Sequence, residues 1–180
     1  MTDLTHVDST GAARMVDVSG KDVSQRSALA TGRLRTTPEV VAALRENSLA
    51  KGDALATARI AGIMAAKRTP DLVPLCHPIA ISGVKVDLTV TDEGVDIAAR
   101  VKTADRTGVE MEALTAVSVA ALTLVDMVKA VDPAAVISDI KVEEKLGGKT
   151  QEWRREAPPV RGSERSERLG GATGEGEWHR

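Results

Sequence analysis

Glu110, Glu112, Asp126 and Lys129 are the residues whose types and spacing point most directly to acid–base chemistry. In RTGVEMEALTAVSVAALTLVDMVKAV, residues 106–131, thirteen uncharged residues separate the two glutamates from the aspartate and lysine. Asp126 and Lys129 stand three apart, which puts them on one face of a helix. Their neighbours Leu124, Val125, Met127 and Val128 are apolar. In such surroundings a carboxylate and an ammonium shift each other's pKa, the usual preparation for proton transfer. The alternative is an ordinary surface ion pair. Glu112 precedes Asp126 by 14 residues, on nearly the same face but about 21 Å away at ~1.5 Å per residue. Groups that far apart on one helix cannot serve one small-molecule site within a chain. Either there are two sites, or two chains bring opposite helix ends together. The small residues between them, Ala116, Ser118, Ala120 and Ala121, suit close packing against another helix. This favours sites shared between subunits and an apolar helix middle buried at or beside the subunit contact.

Other candidates are weaker one by one. His77 lies in VPLCHP, where Pro74 and Pro78 exclude a helix and hold the imidazole in a stiff loop. It is either an exposed or capped histidine, or a preset acid, base or phosphate donor. Lys51 precedes a helix start, where phosphates find N–H donors and the positive end of a dipole. Lys67, Arg68, Arg106, Lys145 and Lys149 are ordinary surface cations unless they converge. Gly147-Gly148-Lys149-Thr150 ends like a phosphate-binding loop, but Glu143 stands where that motif needs its first glycine. His6, His77, His179 and Cys76 have no zinc-ligand spacing, so no metal site is expected. Cys76 and His77 are adjacent and point to opposite sides of an extended loop, which argues against a thiol–imidazole dyad.

The elements that must position these groups follow from pattern. A short strand is expected over residues 14–18 and a second over 27–35, weakened by Gly32. Thr36-Thr37-Pro38-Glu39 starts a helix that should run to about Leu49, and Asp53 caps another that continues to Pro70. Residues 84–90 and 95–101 alternate apolar and polar about Asp92-Glu93-Gly94, which is a β-hairpin with one buried face. Thr107 and Glu110 form a capping-box pattern for the long helix, which Asp132-Pro133 closes. A strand over 136–142 follows. Strands, two helices, a hairpin, a long helix and a strand make an α+β fold with a largely antiparallel sheet.

The 180 residues suit one domain, set at residues 1–156, with a Pro-, Gly-, Ser-, Arg- and Glu-rich tail over 157–180 expected to be disordered. The chain is 42% hydrophobic yet lacks Phe and Tyr, so its core must be built from Val, Ile, Leu, Met and Ala. A net charge of −2 and the absence of an aromatic platform argue against nucleic-acid binding. One cysteine, no signal-peptide pattern and no apolar run of about 20 residues suggest a cytoplasmic protein that does not enter membranes.

KGDALATARIAGIMAAKR, DLVPLCHP and TGVEMEALTAVSVAALTLVDMVKAV closely resemble the molybdenum cofactor biosynthesis protein C family, the cyclic pyranopterin monophosphate synthases. The resemblance spans about residues 4–153. It implies a ferredoxin-like fold and a homohexamer, a trimer of dimers, with active sites at the dimer interface. It also implies conversion of 3′,8-cyclo-7,8-dihydro-GTP to cyclic pyranopterin monophosphate with loss of pyrophosphate. By position, Asp126 matches the family's catalytic aspartate and Lys129 its proton-transfer partner, with Lys51 and His77 in the same set. Leu75, Cys76, His77, Glu110, Met111, Glu112, Lys145 and Lys67 match substrate-contacting positions. No cofactor or metal is implied, and whether Mg²⁺ accompanies the triphosphate stays open. Val125 and Pro70 replace an aromatic residue and a tryptophan common in the family, neither of them a charged site position. A non-catalytic nucleotide-binding protein on the same fold, or a purely structural oligomer, are the alternatives. The first would be marked by loss of Asp126, Lys129 or Lys51, and the second leaves the charged helix ends unexplained.

Overall fold

The computed structural model describes Val7, residues 10–148 and residues 152–156. The alternating segments form the expected hairpin, β2 (Ile81–Val90) and β3 (Gly94–Asp105), with Val90 opposite Val95 and Val86 opposite Ala99. Its partner is β1 (Ser24–Arg35), which lies at the centre of the sheet. β1 pairs antiparallel with β3 on one side and with β4 (Val136–Leu146) on the other. A three-residue strand that sequence pattern missed, β5 (Glu152–Arg154), adds to β4. The order β2-β3-β1-β4-β5, all antiparallel, is the ferredoxin-like arrangement of an α+β fold with one extra edge strand.

Four helices complete it: α1 (Pro38–Glu46), α2 (Ala54–Ala66), α3 (Thr69–Leu72) and α4 (Glu110–Val128). Thr37 caps α1, accepting from Val40 N, and Asp53 caps α2, accepting from Ala56 N at 2.8 Å, as their sequences require. α1 stops three residues before Leu49 because Asn47 turns into the left-handed region at φ 51°. The helix expected to reach Pro70 is instead broken at Ala66, and Pro70 sits in the first turn of α3, where its missing N–H costs nothing. The capping box at Thr107 does not form: Val109 is the N-cap, without a side-chain bond, and Glu110 is drawn to Lys145. Asp132 acts beyond the helix it was expected to close. It accepts from Thr36 Oγ1 at 2.7 Å and Thr37 N at 3.1 Å, tying the end of α4 to the start of α1.

The core lies between the sheet and α2 with α4. Ala28, Ala30 and Leu34 of β1 and Val95, Ile97, Ala99 and Val101 of β3 are buried against Ala113, Ala116, Val117, Ala120 and Leu124 of α4. Gly32, which reads as a weak point in the strand, is where α4 comes closest: a Cβ there would stand 2.6 Å from Val117 Cγ1. The small-residue stripe of α4 is likewise consumed inside the subunit. A Cβ on Gly62 of α2 would stand 2.8 Å from the Ala116 carbonyl oxygen. The expected packing partner of Ala116, Ala120 and Ala121 is therefore α2 of the same chain. The large apolar side chains that α4 turns outward are Met111 and Leu122. By length and composition α4 could cross a membrane, but nine of its residues are buried, eight of them in this core.

Residues 14–18 form no sheet strand; the nearest pairing is an isolated bridge between Val7 and Ala13. β3 and β4, the neighbours of β1, are each paired on both sides, and this segment runs outside the sheet ladders as a strap. The tail at 157–180, Lys149, His6 and His179 lie outside the described residues.

Candidate active site

Three of the segments singled out in the sequence meet in one open cleft of ≈ 420 Å³. Its walls are Leu75, Cys76 and His77 from the loop after α3, Glu110, Met111 and Glu112 from the start of α4, and Lys145 from the end of β4. The size suits a small-molecule ligand.

Its two carboxylates live in different surroundings. Glu110 is ion-paired with Lys145. Glu112, one residue pair further into the helix, is only 3% exposed. Burial pushes its carboxyl up to about 7; a hydrogen bond from its own backbone N–H opposes the shift and the Glu110 charge adds to it. A carboxyl raised in this way can give or take a proton near neutral pH. Burial, then the Glu112 charge, also raises the Cys76 thiol, which keeps it protonated and a poor nucleophile. His77 is held by its Nε2, 2.7 Å from the Val16 carbonyl oxygen.

The cleft also contains groups that sequence reasoning missed: Lys21, Arg26, Val16, Val18, Thr107, Gly108 and Gly148. Arg26 sits near the start of β1 and donates from Nε to the Asp105 carbonyl oxygen at 2.9 Å, which fixes its guanidinium. Gly148 leaves room for it, since a Cβ there would stand 2.7 Å from Arg26 Nη1. Arg26 shares no motif with Lys145, so only the β1–β4 pairing brings the two cations to one cleft. Reading residues 14–18 as a strand concealed Val16 and Val18.

Asp126, Lys129 and Lys51 form a second cluster at the other end of α4 and do not line this cleft. Asp126 Oδ1 pairs with Lys129 Nζ at 2.6 Å and Oδ2 with Lys51 Nζ at 3.2 Å. Hydrogen bonds from Lys129 and Lys51, then their charges, hold its carboxyl below the usual carboxylate range. The apolar surroundings inferred from Leu124, Met127 and Val128 do not enclose it. Those three point into the core and Asp126 points out, with its side chain 58% exposed. Glu112 and Asp126 share a face by spacing, yet the first is buried at the cleft that residues 75–77 wall and the second lies open. Lys67 is the exposed C-cap of α2 and joins neither cluster. Among the described residues no group of three His, Cys, Asp or Glu side chains could hold a metal ion.

The MoaC family model matches residues 15–148. Among similar proteins, the cyclic pyranopterin monophosphate synthase of Streptomyces avermitilis is 70% identical over 152 residues, covering 84% of this chain and 89% of the relative. That of Nocardioides sp. is 68% identical over 155 residues, 84% of this chain and 95% of the relative. That of Thermomicrobium roseum is 53% identical over 163 residues, covering 89% and 98%. The matched region contains every described wall of the cleft and the whole of the Asp126 cluster.

Proposed function

This chain belongs to the MoaC family, and from that premise we propose that it converts 3′,8-cyclo-7,8-dihydro-GTP to cyclic pyranopterin monophosphate with release of pyrophosphate. It is then a lyase of an early step in molybdenum cofactor biosynthesis. The observation that carries the reading is the meeting of residues 75–77, 110–112 and Lys145 in one cleft. These are the segments whose sequences match the family's substrate positions.

The residues suit the chemistry. Ring opening and reclosure need groups that give and take protons in turn, and Glu112, Glu110, His77, Asp126 and Lys129 supply them. Pyrophosphate departure concentrates negative charge, which Lys145, Arg26 and Lys21 would meet from the cleft and Lys51 from the second cluster. With no Phe or Tyr to stack on, the base edge is read by backbone groups and carboxylates. Lys67 keeps its assigned role in substrate binding only from outside the cleft walls. The reaction is assigned no cofactor, and any Mg²⁺ would arrive with the triphosphate.

The Asp126 cluster would complete the cleft of a neighbouring subunit. Glu112 and Asp126, 14 residues and about 21 Å apart along α4, cannot close on one ligand in one chain. Leu122 on α4 and Ile60 and Met64 on α2 are exposed apolar side chains of a kind that a second copy would cover. A homohexamer, a trimer of dimers, located in the cytoplasm, is the assembly we assign. The test of function is direct: pure protein incubated with the cyclised nucleotide should yield the pyranopterin and pyrophosphate together. Substrate recovered unchanged would overturn the assignment.

A further inference from the structure

We propose that the backbone carbonyl of Val16 fixes His77 as its Nε2–H tautomer, leaving Nδ1 as the ring atom that accepts a hydrogen bond or a proton from the ligand. A carbonyl oxygen can only accept, so a ring nitrogen 2.7 Å from it must carry the hydrogen. A neutral imidazole has one N–H, so the remaining lone pair is on Nδ1. The residues around the ring support the same assignment. Pro74 and Pro78 restrict the loop that presents it. Asp17, the acid next to Val16, does not orient the ring by hydrogen bonding: its Oδ1 accepts from Ser19 N at 2.8 Å. The orienting group is thus a main-chain oxygen on the strap.

The assignment constrains the ligand. Nδ1 lies next to the ring carbon that joins the side chain, closer to the main chain than Nε2. The group that His77 serves must therefore approach, within the cleft, closer to the main chain of His77 itself than the Val16 carbonyl does. Val16 is a positioning residue here, acting through its carbonyl.

The part concerning Nδ1 rests on the cleft being the reactive site, whereas the tautomer does not, and two measurements separate them. Long-range proton–nitrogen correlation on the full chain with labelled histidine, at about pH 8.5 where an ordinary imidazole is neutral, should show His77 protonated at Nε2 and bare at Nδ1. The resonance is identified by its loss in His77→Gln. A His77 protonated at Nδ1, or averaging between tautomers, would overturn the proposal whatever the enzyme does. The second measurement uses two isosteres. The amide of Gln overlays Nε2 and keeps the donor to Val16, while Asn overlays Nδ1 and loses it. His77→Gln should keep the carbonyl-carbon chemical shift that the hydrogen bond gives Val16 and yet lose turnover of the cyclised nucleotide by ~10²-fold. His77→Asn should lose that shift. Wild-type turnover in His77→Gln would remove the role given to Nδ1. An equal Val16 carbonyl shift in both variants would remove the tether.

Discussion

Lys51 Nζ donates to both the main-chain carbonyl oxygen of Asp126, at 2.6 Å, and its carboxylate, at 3.2 Å. One lysine therefore closes a free carbonyl in the last turn of α4 and fixes the orientation of the carboxylate beside it. Lys129 binds the other carboxylate oxygen, so the acid is held ionised between two cations. All three side chains are largely exposed, and exposed ion pairs add little to stability. Asp126→Asn and Lys51→Ala should accordingly leave thermal unfolding nearly unchanged while turnover falls by ~10²-fold or more. A large drop in melting temperature in either variant would return the cluster to a structural role.

If each reactive site combines Glu112 of one chain with Asp126 of another, two inactive proteins should repair each other. Subunits of Asp126→Asn and Glu112→Gln, mixed and allowed to exchange, would form interfaces with one intact site opposite one doubly damaged site. Partial recovery of activity is expected. Proven exchange without recovery would mean that the two ends of α4 do not work together across a subunit contact.

Burial of Glu112 has a measurable cost. Its folded-state pKa is raised from 4.5 to about 7, so the folded chain holds this proton more tightly than the unfolded chain does. The contribution to stability is fully present below about pH 4.5 and is lost as pH rises through about 7, a swing on the order of 3 kcal/mol. Glu112→Gln has no such proton to lose. Urea unfolding should show the variant gaining on the parent between pH 5 and pH 8. A constant difference across that range would mean that Glu112 titrates normally.

Gly62 tests the packing that sets the cleft. Alanine usually stabilises a helix interior by about 1 kcal/mol relative to glycine. Here the added Cβ would stand 2.8 Å from the Ala116 carbonyl oxygen and 3.3 Å from Ala120 Cβ, both held by α4. Overpacking should outweigh propensity, and Gly62→Ala should lose about 1–3 kcal/mol in a thermal or denaturant melt. A stabilised variant would show that the α2–α4 contact is looser than the structure has it.

How much of this was legible beforehand differs from residue to residue. Thr37 and Asp53 announced their helices because a cap is a local contact, made within three or four residues of sequence. The 84–101 hairpin was legible because period-two alternation needs only one buried face. Thr107 misled for the converse reason: the glutamate that would complete its capping box is claimed by Lys145, 35 residues away in the chain. The strap at 14–18 misled because β propensity does not reveal whether a segment meets a strand to pair with.

Composition and pattern by themselves determined the α+β class, a Val- and Ala-built core, the antiparallel hairpin and the segments that carry ionisable groups. They also determined that Glu112 and Asp126 stand too far apart for one chain's site, because helix rise is a constant of the backbone. Tertiary structure alone decided which groups share a cleft, bringing Arg26 of β1 beside Lys145 of β4 and the Val16 carbonyl against His77. It also decided that Glu112 is buried and Asp126 exposed, although both sit in apolar stretches on nearly one face of the same helix. Burial is set by what lies over a side chain rather than by its neighbours in sequence: Glu112 lines a cleft walled by residues 75–77, which stand 35 to 37 positions earlier in the chain, whereas Asp126 lies outside it.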